Sequence, residues 1–70
     1  MAKHMINRED LKEFIHEFVI AAAHSKDVNK TLSCKIYVSS EEVMYKVVNH
    51  GQFVFIGHDM DMAIQCYNTI

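Results

Sequence analysis

Five side chains in this sequence are of types that bind metal ions: His50, His58, Asp59, Asp61 and Cys66. Zinc sites need four converging ligands, which usually occur at short paired spacings, and this set contains no such pair. His50 lies in a predicted turn and His58 at the far end of the strand that follows, about 20 Å away at the usual rise per residue. We therefore expect no metal site and no other cofactor.

The side chains that could act as nucleophiles lack a catalytic context. Ser39 and Ser40 have no histidine at a spacing typical of a triad. Cys34 lies in an apolar strand pattern, which is typical of an inert buried thiol. The acidic pair Glu41 and Glu42 is typical of a turn. The sequence therefore predicts a protein that is not an enzyme and has no catalytic residues.

The composition favours one small folded domain. The chain has 70 residues, half of them hydrophobic, no proline and a net charge of −2, and this length is near the lower limit for a single core. We expect a single domain over residues 6–70 and interpret residues 1–5 as a cloning remnant or a disordered N-terminus. Membrane-spanning and signal-peptide patterns are lacking, so we expect a cytoplasmic protein. There, Cys34 and Cys66 are expected to be unpaired.

The first predicted element is a helix over residues 8–25. Asn7 is a suitable N-cap, and Asp10 in the first turn would oppose the positive end of the helix dipole. Apolar residues then recur at spacings of three and four, which places them in one stripe along a helix. These residues are Leu11, Phe14, Ile15, Phe18, Val19 and Ala22. The polar segment that follows is predicted to be a loop.

Three strands and a second helix are predicted after this loop. Apolar and polar residues alternate over residues 31–39, which indicates a strand with one buried face. Residues 43–57 contain two runs rich in β-branched and aromatic residues around a turn, which indicates a β-hairpin. Asp59 is the natural N-cap of a last helix, whose predicted inner residues are Met60, Ala63, Ile64, Tyr67 and Ile70. The predicted fold is therefore α+β, in the order α-β-β-β-α, with both helices on one face of a three-stranded antiparallel meander.

Two registers of the hairpin remain open. A three-residue loop of Asn49, His50 and Gly51 would pair Val48 with Gln52. One face would then carry Val43, Tyr45, Val47, Phe53 and Phe55. A two-residue loop of His50 and Gly51 would instead join Tyr45 and Val47 with Val54 and Ile56. We prefer the three-residue loop, because the left-handed conformation is less usual for His than for Gly and because it forms an aromatic cross-strand pair.

Both faces of the predicted sheet are substantially apolar, and the two helices cover only one of them. Monomers seldom leave a large apolar patch in water, so we expect a partner. The predicted protein-binding residues are Met44, Lys46, Val48, Val54 and Ile56. The expected assembly is a homodimer, joined through this face or through the free edge of the last strand. The alternative is a monomer in which long side chains cover the face.

The α-β-β-β-α order resembles the double-stranded RNA-binding domain over the whole chain, at the level of topology. The resemblance implies phosphate-binding lysines at the start of the last helix. This chain has His58, Asp59, Met60 and Asp61 there, and residues 31–70 contain two lysines against four acids. Because phosphate affinity depends on clustered basic residues, we expect no nucleic-acid partner of this type.

The predicted function is that of a small regulatory protein that acts by protein–protein contact through its β-sheet. In length and in its lack of catalytic groups, the chain is similar to the short accessory proteins of phages and other mobile elements, many of which inhibit a host protein. A second hypothesis is that it sequesters or senses a small molecule, such as a nucleotide, at a dimer interface. The third is the RNA-binding module just described.

Overall fold

Four antiparallel strands form one sheet, and an α-helix packs on one of its faces; the computed structural model describes residues 5–70. The strands are β1 (Ile15–His24), β2 (Asn29–Tyr37), β3 (Glu42–Asn49) and β4 (Gln52–Gly57), and they lie side by side in chain order. Helix α1 (Met60–Thr69) follows β4, and a short 3-10 helix (Arg8–Leu11) precedes β1. The segment interpreted as a cloning remnant lies outside the described residues, except for Met5.

The predicted α-β-β-β-α order is wrong, because most of the residues assigned to the first helix form β1. They pair with β2 from Ile15 opposite Tyr37 to His24 opposite Asn29. This run contains β-branched and aromatic residues and is apolar without interruption from Phe18 to Ala23, so it fits a strand as well as a helix. Pairing with β2 decides between the two, and it leaves the sheet with one covering helix.

The predicted start of the first helix is confirmed only as a single turn. The Asn7 side chain accepts a hydrogen bond from the Glu9 backbone N–H (3.0 Å), and the Asn7 N–H donates to the Asp10 carboxylate (2.9 Å). These reciprocal bonds satisfy backbone donors at the start of the 3-10 helix. The helix ends at Leu11, and the chain becomes extended at Ile15.

The predicted hairpin is confirmed, but its turn has two residues instead of three. His50 and Gly51 both have positive φ, 50° and 80°, and Asn49 pairs directly with Gln52. Positive φ at both central residues is typical of the turn whose twist matches that of paired strands. The preferred three-residue loop is therefore wrong, and His50 adopts the left-handed conformation that the sequence argument disfavoured.

A bulge at Val54 then changes which residues share a face. Val54 has no partner on β3, so Phe53 lies opposite Val48 whereas Phe55 lies opposite Val47. The two phenylalanines of β4 consequently point to opposite faces of the sheet. Neither register considered from the sequence contains this shift.

The core lies between α1 and the middle of the sheet. Its buried residues are Leu32 of β2, Val47 of β3 and Ala63 of α1, and the side chains packed around them include Tyr45, Phe55, Cys66 and Tyr67. Helix α1 contacts β2, β3 and β4 but, within the described chain, does not reach β1. The edge strand β1 is thus left with little cover on either face.

The predicted N-cap of α1 is confirmed. The Asp59 carboxylate accepts a hydrogen bond from the Met62 N–H (3.0 Å). Of the predicted inner residues, Ala63 and Tyr67 face the sheet, whereas Met60 and Ile64 are exposed. Among residues 5–70, no helix is long and apolar enough to cross a membrane.

Lys30 of β2 fixes the C-terminal end of α1. Its ammonium group donates hydrogen bonds to the Tyr67 carbonyl (2.8 Å) and, at 3.4 Å, to the Ile70 carbonyl, and it lies 4.5 Å from the centroid of the Tyr67 ring. The last carbonyls of a helix have no partner within it and carry its negative dipole end, so a cation there is favourable. Lys30 therefore holds α1 against the sheet.

We predict that Lys30→Met lowers the free energy of unfolding by about 1–3 kcal/mol, since it removes charge-assisted hydrogen bonds to helix-end carbonyls. Chemical denaturation followed by circular dichroism measures this change. Lys26→Met, at an exposed position in the β1–β2 turn, is the matched control and should change stability by less than about 0.5 kcal/mol. Equal effects of the two variants would contradict the assigned role of Lys30.

Candidate protein-binding surface

The sheet face opposite α1 is called the open face. Leu32 and Val47 point toward α1, so the residues on either side of them along β2 and β3 point away from it. Their cross-strand partners lie on the same side. The open face is formed by Ile15, Glu17, Val19, Thr31, Ser33, Lys35, Tyr37, Met44, Lys46, Val48, Phe53 and Ile56. No helix of the described chain packs on it.

An ion pair lies across the centre of the open face. Lys46 of β3 extends over β2, and its Nζ lies 3.1 Å from the carboxylate of Glu17 on β1. The same Nζ is 5.3 Å from the centroid of the Phe53 ring. Beneath the Lys46 stem, its cross-strand neighbour Ser33 is buried. A single lysine therefore connects three strands through side-chain contacts on this face.

Exposed apolar side chains surround this ion pair. Phe53 is 64% exposed, Val19 61% and Ile56 56%. Isolated exposed apolar residues are ordinary, but a contiguous patch on a small protein is typical of an interaction site. Aromatic residues are enriched at protein interfaces, whereas lysine and glutamate are depleted there. The exposed Phe53 beside aliphatic residues therefore matches the composition of an interface. The central ion pair would enter such an interface with its two charges already matched to each other.

Four of the five predicted protein-binding residues lie together on the open face: Met44, Lys46, Val48 and Ile56. The fifth, Val54, is the bulged residue of β4 and is 43% exposed. The sequence argument missed Phe53, because the preferred register assigned it to the opposite face. It also missed Glu17 and Val19, because they belonged to the predicted helix. The signal for a strand was the content of β-branched and aromatic residues, namely Ile15, Phe18, Val19 and Ile20.

The side chains considered for metal binding are dispersed. His50 is in the β3–β4 turn, Asp59 caps α1 and Cys66 packs toward the sheet. The Nδ1 of His58 lies 2.9 Å from the Val43 carbonyl oxygen, which holds the start of α1 close to β3. Within residues 5–70, no three His, Cys, Asp or Glu side chains are placed to hold a metal ion. Asp61 lies in the first turn of α1. The five residues are thus divided among the β3–β4 turn, the start of α1 and the side of α1 that faces the sheet.

The order of elements that resembled the double-stranded RNA-binding domain is not formed, because its first helix is a strand here. Comparison of the chain with models of protein families, with curated proteins and with solved structures gives no match.

We predict that Glu17→Gln lowers the free energy of unfolding by less than about 1 kcal/mol, since partly exposed ion pairs contribute little to stability. Both side chains of the pair are partly exposed, at 34% for Lys46 and 44% for Glu17. Urea denaturation measures the change, with Glu13→Gln at an exposed position before β1 as the control. A loss above about 2 kcal/mol would show that the pair is structural and does not serve primarily as a contact site.

Proposed function

We propose that this chain is a non-enzymatic binding protein that regulates another protein by contact through the open face. The observation that carries the proposal is the exposure of Phe53, Val19 and Ile56 around the pair of Lys46 and Glu17. The similarity in size to phage accessory proteins extends the proposal to inhibition of a host protein. A folded protein surface is the favoured partner, because the face is broad and its exposed apolar residues lie on both edge strands, β1 and β4.

Ile56→Lys tests the open face as the contact surface. Ile56 is 56% exposed and pairs with Lys46, so a second ammonium group there adds positive charge without opening the core. We expect the variant to stay folded by circular dichroism and to lose its partner, because an unpaired charge in an interface costs several kcal/mol. Quantitative mass spectrometry of proteins captured on the immobilised chain provides the measurement.

Ile64→Lys is the matched control for this capture experiment. Ile64 is 40% exposed on α1, on the other side of the sheet, and the substitution is chemically the same. The proposal requires a set of proteins that the unchanged chain and Ile64→Lys both capture and that Ile56→Lys does not. Loss of capture with Ile64→Lys alone would place the contact on α1 and contradict the proposal.

The proposal extends to a homodimer, because the chain exposes more surface than a monomer of its mass usually does. It exposes 5549 Å², and its mass is 8.1 kDa, for which a compact monomer exposes about 4,500 Å². The excess of about 1,000 Å² is close to the roughly 800 Å² that each partner buries in a typical interface. The radius of gyration, 15.6 Å, is likewise above the roughly 11 Å expected for this length.

We predict that the unfolding midpoint of the full chain rises with protein concentration, since a dimer is stabilised by mass action. Thermal unfolding by circular dichroism over a hundredfold range of concentration measures the dependence. Light scattering at the highest concentration should give twice the chain mass of 8.1 kDa. A concentration-independent midpoint together with a monomeric mass would exclude the homodimer.

A further inference from the structure

The outer edge of β1 is a long strand edge that pairs with no other strand of the described chain. In the described part of the chain, β1 pairs with β2 on one side and with no strand on the other. It has ten residues, whereas β4 at the opposite edge of the sheet has six. An edge strand presents a row of backbone N–H and C=O groups that another strand can pair with. The sheet therefore has one long edge and one short edge.

Both edges contain a bulge, but the bulges leave different lengths of regular strand. In β1 the bulged residue is Ile20, which leaves five regularly paired residues, Ile15 to Val19, on one side of it. In β4 the bulged residue is Val54, near the middle of the strand, which leaves no regular segment longer than three residues. Because bulges interrupt the hydrogen-bonding ladder, β1 offers the longer template for pairing.

The β1 edge lacks the residues that usually protect an exposed edge. It contains no lysine, arginine or proline, and its one carboxylate, that of Glu17, is already paired with Lys46. Ile15, Phe18, Val19 and Ile20 are all between 41% and 61% exposed, and they occupy both sides of the strand. Lysine, proline and inward-facing charges are the usual means of blocking edge-to-edge association. The composition of β1 therefore permits pairing where most edge strands prevent it.

We infer that two copies of this chain join along β1, antiparallel about a two-fold axis, to form one continuous sheet of eight strands. This inference rests on the homodimer proposed above and assigns its interface. A two-fold axis beside Glu17 would place the Glu17 carboxylates of the two copies directly opposite each other, and like charges in that position destabilise strand pairing. An axis beside Phe18 instead places the two Phe18 rings across from each other and Glu17 opposite Val19. The interface then has an aromatic centre without opposed charges.

A second copy is the occupant that the small core favours over a strand from another protein. The buried apolar residues of the described chain are Leu32, Cys34, Val47 and Ala63, and α1 does not reach β1. The uncovered surface is present whenever the chain is folded, so a permanent partner stabilises the fold more than an occasional binding protein does. Each copy of the chain always has another copy available. The dimer would also place two open faces side by side, with one continuous surface for the regulated protein.

Ile20→Lys tests this interface. Ile20 is 49% exposed and has no partner on β2, so the substitution leaves the β1–β2 ladder intact while adding an edge lysine. We expect the dimer dissociation constant to rise at least about tenfold in analytical ultracentrifugation, which corresponds to about 1.4 kcal/mol. Val54→Lys is the matched control, because it makes the same kind of change at the bulged residue of β4, which is 43% exposed. We expect the dimer dissociation constant of Val54→Lys to equal that of the unchanged chain.

The outcomes separate this inference from the binding function. A dimer weakened by Val54→Lys and not by Ile20→Lys would place the interface at β4 and overturn the inference. An equally strong dimer in both variants would place it on a face of the sheet and overturn it as well. A monomeric unchanged chain would overturn the homodimer and the edge interface together. The capture experiment with Ile56→Lys measures partner binding through the open face, and its interpretation does not depend on any of these results.

Hydrogen exchange on the unchanged chain provides a second readout that does not depend on a variant folding. In an antiparallel sheet, alternate residues of an edge strand direct their N–H groups away from their neighbour. The β1 edge interface predicts slow exchange at both the inward and the outward N–H groups of residues 15–19. Fast exchange at the alternate, outward groups at a concentration where the chain is dimeric would overturn it. Slow exchange at the outward groups of β4 instead would identify the other edge.

Discussion

The packing of α1 on the sheet centres on Ala63, Leu32 and Val47, and the width of one helix limits how far this packing extends. A helix is about 10 Å wide, whereas four strands spaced about 4.8 Å apart span about 14 Å between the outer strand axes. The helix therefore covers β2, β3 and β4 and leaves β1 uncovered. Its position is fixed at both ends, by the Asp59 cap at the start and by Lys30 at the final carbonyls.

This limited cover explains why the chain is so exposed. One face of the sheet has no covering helix, and β1 has little cover on the other. The result is an open face with a charged pair at its centre and a long edge without protecting charges. These two surfaces have different chemistry. The open face combines apolar anchors with side-chain charges, whereas the edge offers backbone hydrogen bonds, so they suit different partners and can be occupied together.

The β3–β4 hairpin decides which side chains the open face carries. Its two-residue turn alone would have placed Phe55 on the open face, on the opposite side from Val47. The bulge at Val54 reverses this from Phe55 onward, so that Phe55 packs into the core and Ile56 faces outward opposite Lys46. Phe53 precedes the bulge and is placed on the open face by the turn, where it lies near Lys46. The turn and one unpaired residue thus together determine the composition of the core and of the site.

The sequence by itself determined the hairpin, the strand before it, the Asp59 cap and the last helix, because each of these has a local signal in turn chemistry, alternation or capping. It also located Met44, Lys46, Val48 and Ile56 on one surface. Only the tertiary structure decided the secondary structure of residues 15–24. Their apolar residues fit both the helical period and a buried strand, and pairing with β2 selects the strand. The bulge at Val54 was likewise decided by packing, since Phe55 reaches the core beneath α1 only through that shift. Glu17 and Val19 therefore joined the candidate site through the pairing of β1 with β2, which local patterns do not encode. Phe53 joined it through the left-handed conformation of His50 in the two-residue turn.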